Sequence, residues 1–177
     1  MNATVAARHE ARRRAAYAVV AASVAARAPV SFSAIDATAC AEFQSKWDGD
    51  PRRRVNWDWH GIAHHYQHRR WARLDLSIWS GSTLCGLAIG RFSRAETILQ
   101  LNYVEGSPAP HPLRGEVLYL AVTYGIFLAT AYGSTTFRAT NPAAHVTAAL
   151  TKLNPPFHFV ARSRSAPYYP YCERSLP

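Results

Sequence analysis

Apolar positions in the first part of the chain repeat at helical spacing. Residues 4–27 are Ala-rich, and Tyr17, Val20 and Val24 form a narrow stripe that Pro29 brings to an end. Arg8, Arg12 and Arg13 fall on the other faces of this helix. A second helix is predicted over Ile35–Trp47, with Ser33 or Asp36 as its start signal, followed by a turn and loop over DGDPRRR (48–54). Residues 57–70, WDWHGIAHHYQHRR, read as a third short helix, weakened by Gly61. From Arg73 the period drops to two. Leu74, Leu76 and Ile78 alternate with Asp75 and Ser77, SGST turns, and Leu84–Phe92 returns, so 73–92 is a hairpin. After a turn at Ser93–Glu96, Thr97–Val104 adds a third strand and completes an antiparallel meander.

Val117–Tyr132 runs for sixteen residues without a charge, between Glu116 and Gly133. A membrane span needs about twenty apolar residues, so this is a helix buried against the sheet, and no stable membrane insertion is expected. Ser134–Thr140 reads as a fourth strand. Pro142 suits the first turn of a helix reaching about Leu153, and Phe157–Arg162 and Tyr168–Cys172 read as two short final strands. The order gives a single α/β (α+β) domain over residues 31–177, preceded by a helical extension over residues 1–30.

With 177 residues, 49% apolar and only 18% charged, the chain can bury one core and is not disordered. The net charge of +9 changes the picture more. It points to an anionic partner: nucleic acid, an acidic membrane face or a polyphosphate cofactor. The excess is arginine, since Lys46 and Lys152 are the only lysines. Cys40, Cys85 and Cys172 are odd in number and widely spaced, which excludes a disulfide scaffold or zinc ribbon and favours a reducing, cytoplasmic compartment. Arg12–Arg14 followed by AAYAVVAASVAARA imitates a secretion signal with Ala28 at the cleavage position. The apolar part is mostly alanine, the basic cluster lies well inside the chain, and Pro29 follows, so an ordinary amphipathic helix is the better reading.

Several clusters could carry chemistry. Pro108, Pro110 and Pro112 have no N–H to donate, which concentrates backbone donors at Leu113, Arg114, Gly115, Glu116 and Val117, where the long helix begins. Gly115 lets an anion approach closely, Arg114 adds charge, and the helix dipole adds a partial positive end. His60, His64 and His68, with His65 beside them, could share a helical face, but no carboxylate or cysteine completes a metal signature. A polar face that contacts substrate is preferred, with no metal. Trp57, Trp59, Tyr66 and Trp71 interleave with Arg52–Arg54, Arg69 and Arg70. Such a pattern either stacks bases and neutralises phosphates or anchors a core beside a charged rim.

The run Val104-Glu105-Gly106, Pro108, Leu113-Arg114-Gly115, Tyr132-Gly133 and Asn141-Pro142, followed by Lys152-Leu153, resembles the GCN5-related N-acetyltransferase (GNAT) superfamily over about residues 33–172. The resemblance implies a mixed, mainly antiparallel sheet flanked by helices, here with an extra N-terminal Ala-rich helix. It implies acetyl transfer from acetyl-coenzyme A to an amine by direct attack in a ternary complex. The pantetheine arm would lie between splayed strands against the backbone of Asn102, Tyr103 and Val104. The pyrophosphate would lie on Leu113, Arg114, Gly115, Glu116 and Val117, with Asn141 also on the cofactor side. Glu105, ending the cofactor strand, is the candidate general base.

Two positions depart from the family pattern. Val117 stands where the family has a small residue, and Leu150 where it commonly has a tyrosine that protonates the leaving thiolate. These departures support a second reading, a basic nucleic-acid-binding protein on a catalytically inactive scaffold of the same kind. The acceptor is open: a small amine, or an anionic macromolecule such as tRNA or an acidic protein. Homodimers are common in the resembling family.

Overall fold

A computed structural model describes residues 3–24, 29–69, 71–162 and 169–177. Its elements in chain order are α1 (Ala3–Val24), β1 (Val30–Ser33), α2 (Ala37–Lys46), α3 (Trp59–Arg69), β2 (Arg73–Ser80), β3 (Thr83–Phe92) and β4 (Ile98–Gly106). Then follow α4 (Val117–Tyr132), β5 (Thr136–Thr140), α5 (Ala144–Leu150), β6 (His158–Val160) and β7 (Tyr171–Ser175). Ala28, the position a cleavage site would need, and Arg70 lie outside the described residues.

The strands form one seven-stranded sheet in the order β1-β2-β3-β4-β5-β7-β6. Every neighbouring pair is antiparallel except β4 and β5, which run parallel. A parallel pair needs a long crossover, and α4 supplies it. The sheet is covered on both faces. Ala16, Val20 and Val24 of α1 share one core with Leu120, Ala121 and Leu128 of α4 and with Leu74, Leu76 and Ile78 of β2. Ala39, Phe43 and Trp47 at α2 and Trp59 and Ala63 of α3 pack with Leu84, Leu87 and Ile89 of β3 on the other.

Four outcomes go beyond the sequence reading. β1 was not foreseen: four residues beside a proline give no period of their own, and the strand exists because it pairs with β2 from Val30–Ser80 to Ser33–Ser77. Asp36 proves to be the cap of α2, its Oδ1 accepting from Ala39 N–H at 2.9 Å. The polar face of β2 is not solvated. Asp75 is fully buried, accepting from Ile35 N–H at 2.8 Å and from Arg73 Nε at 2.9 Å. Arg13, expected away from the core, is buried. Its guanidinium donates to Trp71 O at 3.1 Å and pairs with Glu10 at 2.5 Å, so the charge is compensated where its stem packs.

α4 holds the span read from the uncharged run. Gly133 closes it in the left-handed region at φ 73°, with its N–H on Thr130 O. Among the described residues no helix is long and apolar enough to cross a membrane.

Candidate active site

The site begins where a strand pair comes apart. β4 and β5 pair from Ile98–Thr136 to Leu101–Ala139, and there the ladder stops while β4 continues to Gly106. At the same point β4 bulges. Tyr103 faces Ile89 and Leu101 faces Gly90, so Asn102 is the extra residue. Gly90 is required there, because a Cβ on it would lie 2.1 Å from Gln100 O.

The bulge also rephases the strand. Leu99, Leu101 and Val104 pack towards α1 and α4, whereas Tyr103 joins the core under α2 and α3. Ser107 N–H donates to Cys85 O at 2.9 Å, which fixes the hydrogen-bonding phase. By alternation, Glu105 and Tyr103 bond to β3, and the backbone of Val104 and Gly106 turns to the open side. Of the three backbone positions expected to face a cofactor, Tyr103 is therefore corrected: its amide belongs to the β3 ladder.

Two side chains brace the crotch of this fork. Thr140 Oγ1 donates to Leu101 O at 3.2 Å and lies 2.8 Å from Asn102 Nδ2. The hydroxyl proton is spent on the carbonyl, so Thr140 accepts from the amide NH2, and the orientation of Asn102 is fixed. Its Oδ1 is then a buried acceptor with no hydrogen-bond partner.

The second half of the site is the loop leading into α4. Leu113 N–H is taken by His111 Nδ1 (3.2 Å), Arg114 N–H by His111 O (3.2 Å) and Glu116 N–H by Leu113 O (3.0 Å). Tight turns thus consume three of the five amides expected to bind an anion, a correction at Leu113, Arg114 and Glu116. Among the described residues nothing accepts from Gly115, Val117 or Leu118 N–H, and Gly115 sits at φ 89°. Leu118 was missed because a leucine inside an apolar run gives no polar signal, although every first-turn amide lacks a helical partner. Val117 is explained by the strands beneath it. Its side chain lies over the facing glycines Gly86 and Gly106, where a Cβ on Gly86 would come within 2.5 Å of Val117 Cγ1. The room that a small residue would leave at 117 is supplied by glycine on the sheet.

Fork and loop open into one cavity of about 720 Å³, walled by β4 from Leu101 to Gly106, by Arg114, Gly115, Val117 and Leu118, and by Thr140, Asn141 and His145. No protein-family model matches the chain, and no curated protein matches it in sequence. Solved structures do match in shape. An acetyltransferase of the GNAT family from Staphylococcus aureus Mu50 superposes with a TM-score of 0.61 at 8% identity, covering 84% of this chain and 99% of its own. YncA from Salmonella typhimurium, solved with acetyl-CoA, gives 0.56 at 11% identity over 84% and 95%. PaiA N-acetyltransferase from Thermoplasma acidophilum, solved with coenzyme A, gives 0.55 at 10% identity over 83% and 99%. The chain has the GNAT fold.

Within that fold the polar residues take particular roles. Glu105 is buried. It accepts from Arg53 Nε at 2.8 Å, Arg53 Nη2 at 3.1 Å and Trp59 Nε1 at 2.6 Å. Three of its roughly four lone-pair sites are occupied, two of them by a guanidinium whose own pKa the bond raises. The reading of Glu105 as a free general base is therefore revised. Its carboxylate ties the 48–57 loop and α3 to the end of β4. Arg53 was not foreseen as its partner because 52 residues separate them in sequence.

Leu150, expected at the family's tyrosine position, is fully buried in the core on the α4 side of the sheet and does not line the cavity. Asn141 lines the cavity at φ 49°, with its N–H on Pro170 O at 2.7 Å. His111, which donates no proton from Nδ1, also lines it. Burial, and then Arg114, lower its pKa, so it is neutral near pH 7 with its proton on Nε2. His60, His64, His65 and His68 are exposed on α3 and do not line the cavity. Trp59 is a core anchor, Trp57 and Tyr66 pack edge-on against Tyr103, and Trp71 is exposed.

Proposed function

We propose that this protein is an N-acyltransferase that moves an acetyl group from acetyl-CoA to an amine. The observation that carries the reading is the conjunction of an open fork at Leu101–Ala139 with unspent amides at Gly115, Val117 and Leu118, inside one cavity. The amides and the dipole of α4 suit a diphosphate, and Arg114 adds a cation beside them. Backbone groups of Val104 and Gly106 suit the amides of a pantetheine arm, with Asn102 and Asn141 at the inner wall. From Gly106 to Leu101 the open strand spans about 16 Å at 3.3 Å per residue, comparable with that arm. Acetyl-CoA supplies an activated thioester. The protein's part is to hold the acyl carbon at the crotch of the fork and to bring the amine to it.

Proton transfer follows from what the side chains leave free. Glu105 is occupied by Arg53 and Trp59, so the amine's proton passes to water. With Leu150 buried, the thiolate is likewise protonated from solvent. This reading is favoured over a nucleic-acid-binding scaffold by the packing of Trp59 and Trp57 into the protein. The test is thermal unfolding with coenzyme A. At 100 times its dissociation constant a ligand adds about 2.7 kcal/mol, which for a chain of this size raises Tm by about 5–11 °C. No rise at millimolar coenzyme A refutes the proposal.

A further inference from the structure

The cavity wall carries Arg52, Arg53, Arg54 and Arg114, and Glu105 is its sole carboxylate among the described residues. These cations are not equivalent. Arg53 is neutralised by Glu105, and Arg52 is held by Asp50 at 2.6 and 3.0 Å. Arg54 and Arg114 make no ion pair among the described residues, and they belong to opposite faces of the sheet. Arg114 precedes α4, whose side chains fill one core. Arg54 lies in the loop between α2 and α3, which cover the other face. The fork between β4 and β5 joins the two faces. A thioester reaching the crotch from the α4 side leaves the α2–α3 side, with Arg54 and Trp57, to the acceptor.

We infer that the acceptor is an amine that also carries a carboxylate or phosphate, its anion facing Arg54. This rests on the acyltransferase reading above. The charge of the wall argues for it. A positive wall disfavours the ammonium form of any amine brought against it. It therefore delivers the neutral nucleophile without a carboxylate base, and it repels amines with several positive charges. In the step, the N–C bond forms and the C–S bond breaks, the sulfur leaves as thiolate, and the nitrogen's surplus proton goes to water.

The experiment measures thiol release from acetyl-CoA with matched amines, with products confirmed by mass. Aspartate and O-phosphoserine are compared with aspartic acid diamide and serinamide, and with spermidine and kanamycin. The expected result is a kcat/KM at least tenfold higher for the anionic amines than for their uncharged counterparts, with the polycations poorest. Arg54→Glu, at an exposed position, should raise KM for the anionic amines at least tenfold and leave coenzyme A affinity unchanged.

Equal or better use of spermidine, kanamycin or the uncharged amines overturns the inference, as does transfer to none of the panel. Failure of the unmodified protein to bind coenzyme A overturns the acyltransferase reading itself, and this inference with it.

Discussion

Replacing Glu105 by glutamine separates a structural carboxylate from a catalytic one. Glu105 and Arg53 expose only 6% and 4% of their side chains. The pair is reinforced by the Trp59 indole, and Arg53 Nη2 also donates to Trp57 O at 2.9 Å. A glutamine keeps the shape but removes the charge, and its NH2 turns a donor towards donors. Removing one partner of a buried pair costs about 3–5 kcal/mol, because the other charge stays buried without compensation. Asp48, 3.5 Å from Arg53, is mostly exposed and recovers part of that, which puts the expected loss at the lower end, about 3 kcal/mol. For a chain of this length the loss lowers Tm by about 6–12 °C. The assay is equilibrium urea unfolding of Glu105→Gln, Arg53→Met and the double variant. The double variant should lie closer to the parent than the sum of the singles, by about 2 kcal/mol or more. A Glu105→Gln protein within about 0.5 kcal/mol of the parent, with transfer reduced a hundredfold, would refute the structural assignment and restore the general base.

Other perturbations give equally definite results. Gly86→Val drives a side chain into Val117 Cγ1, so it should cost about 1–3 kcal/mol by overpacking and weaken coenzyme A binding by shifting the start of α4; Val117→Ala in the same chain should restore both, read by calorimetric titration. Leu150→Ala, at a fully buried position, should lose about 2–5 kcal/mol of stability without changing coenzyme A affinity, as measured by urea unfolding and the same titration. His9 and His111 both have pKa values lowered from 6.5, chiefly by burial. The unfolded chain then binds more protons than the folded one, so stability should fall as pH drops through 6.5 and level off below the folded values. Urea midpoints between pH 7.5 and 5 check this, and His9→Gln with His111→Gln should flatten the curve.

Local patterns settled much of this protein. The uncharged run and Gly133 gave α4 its full span, since burial and a left-handed stop are written in neighbouring residues. Alternation gave the β2–β3 hairpin, and the proline-rich connector marked the loop before α4. What the sequence could not settle depends on pairing between distant segments. The one-residue bulge at Asn102 depends on how β4 registers with β3. It turned Tyr103 and Glu105 to the opposite face from Leu101, where Glu105 meets Arg53 and Trp59. Which loop amides stay free was decided by turn hydrogen bonds at His111 and Leu113, and the fate of Leu150 by the packing of a short helix. A side chain's identity fixes which chemistry it can offer. Whether that chemistry is available is fixed by partners dozens of residues away, which only the folded sheet brings into contact.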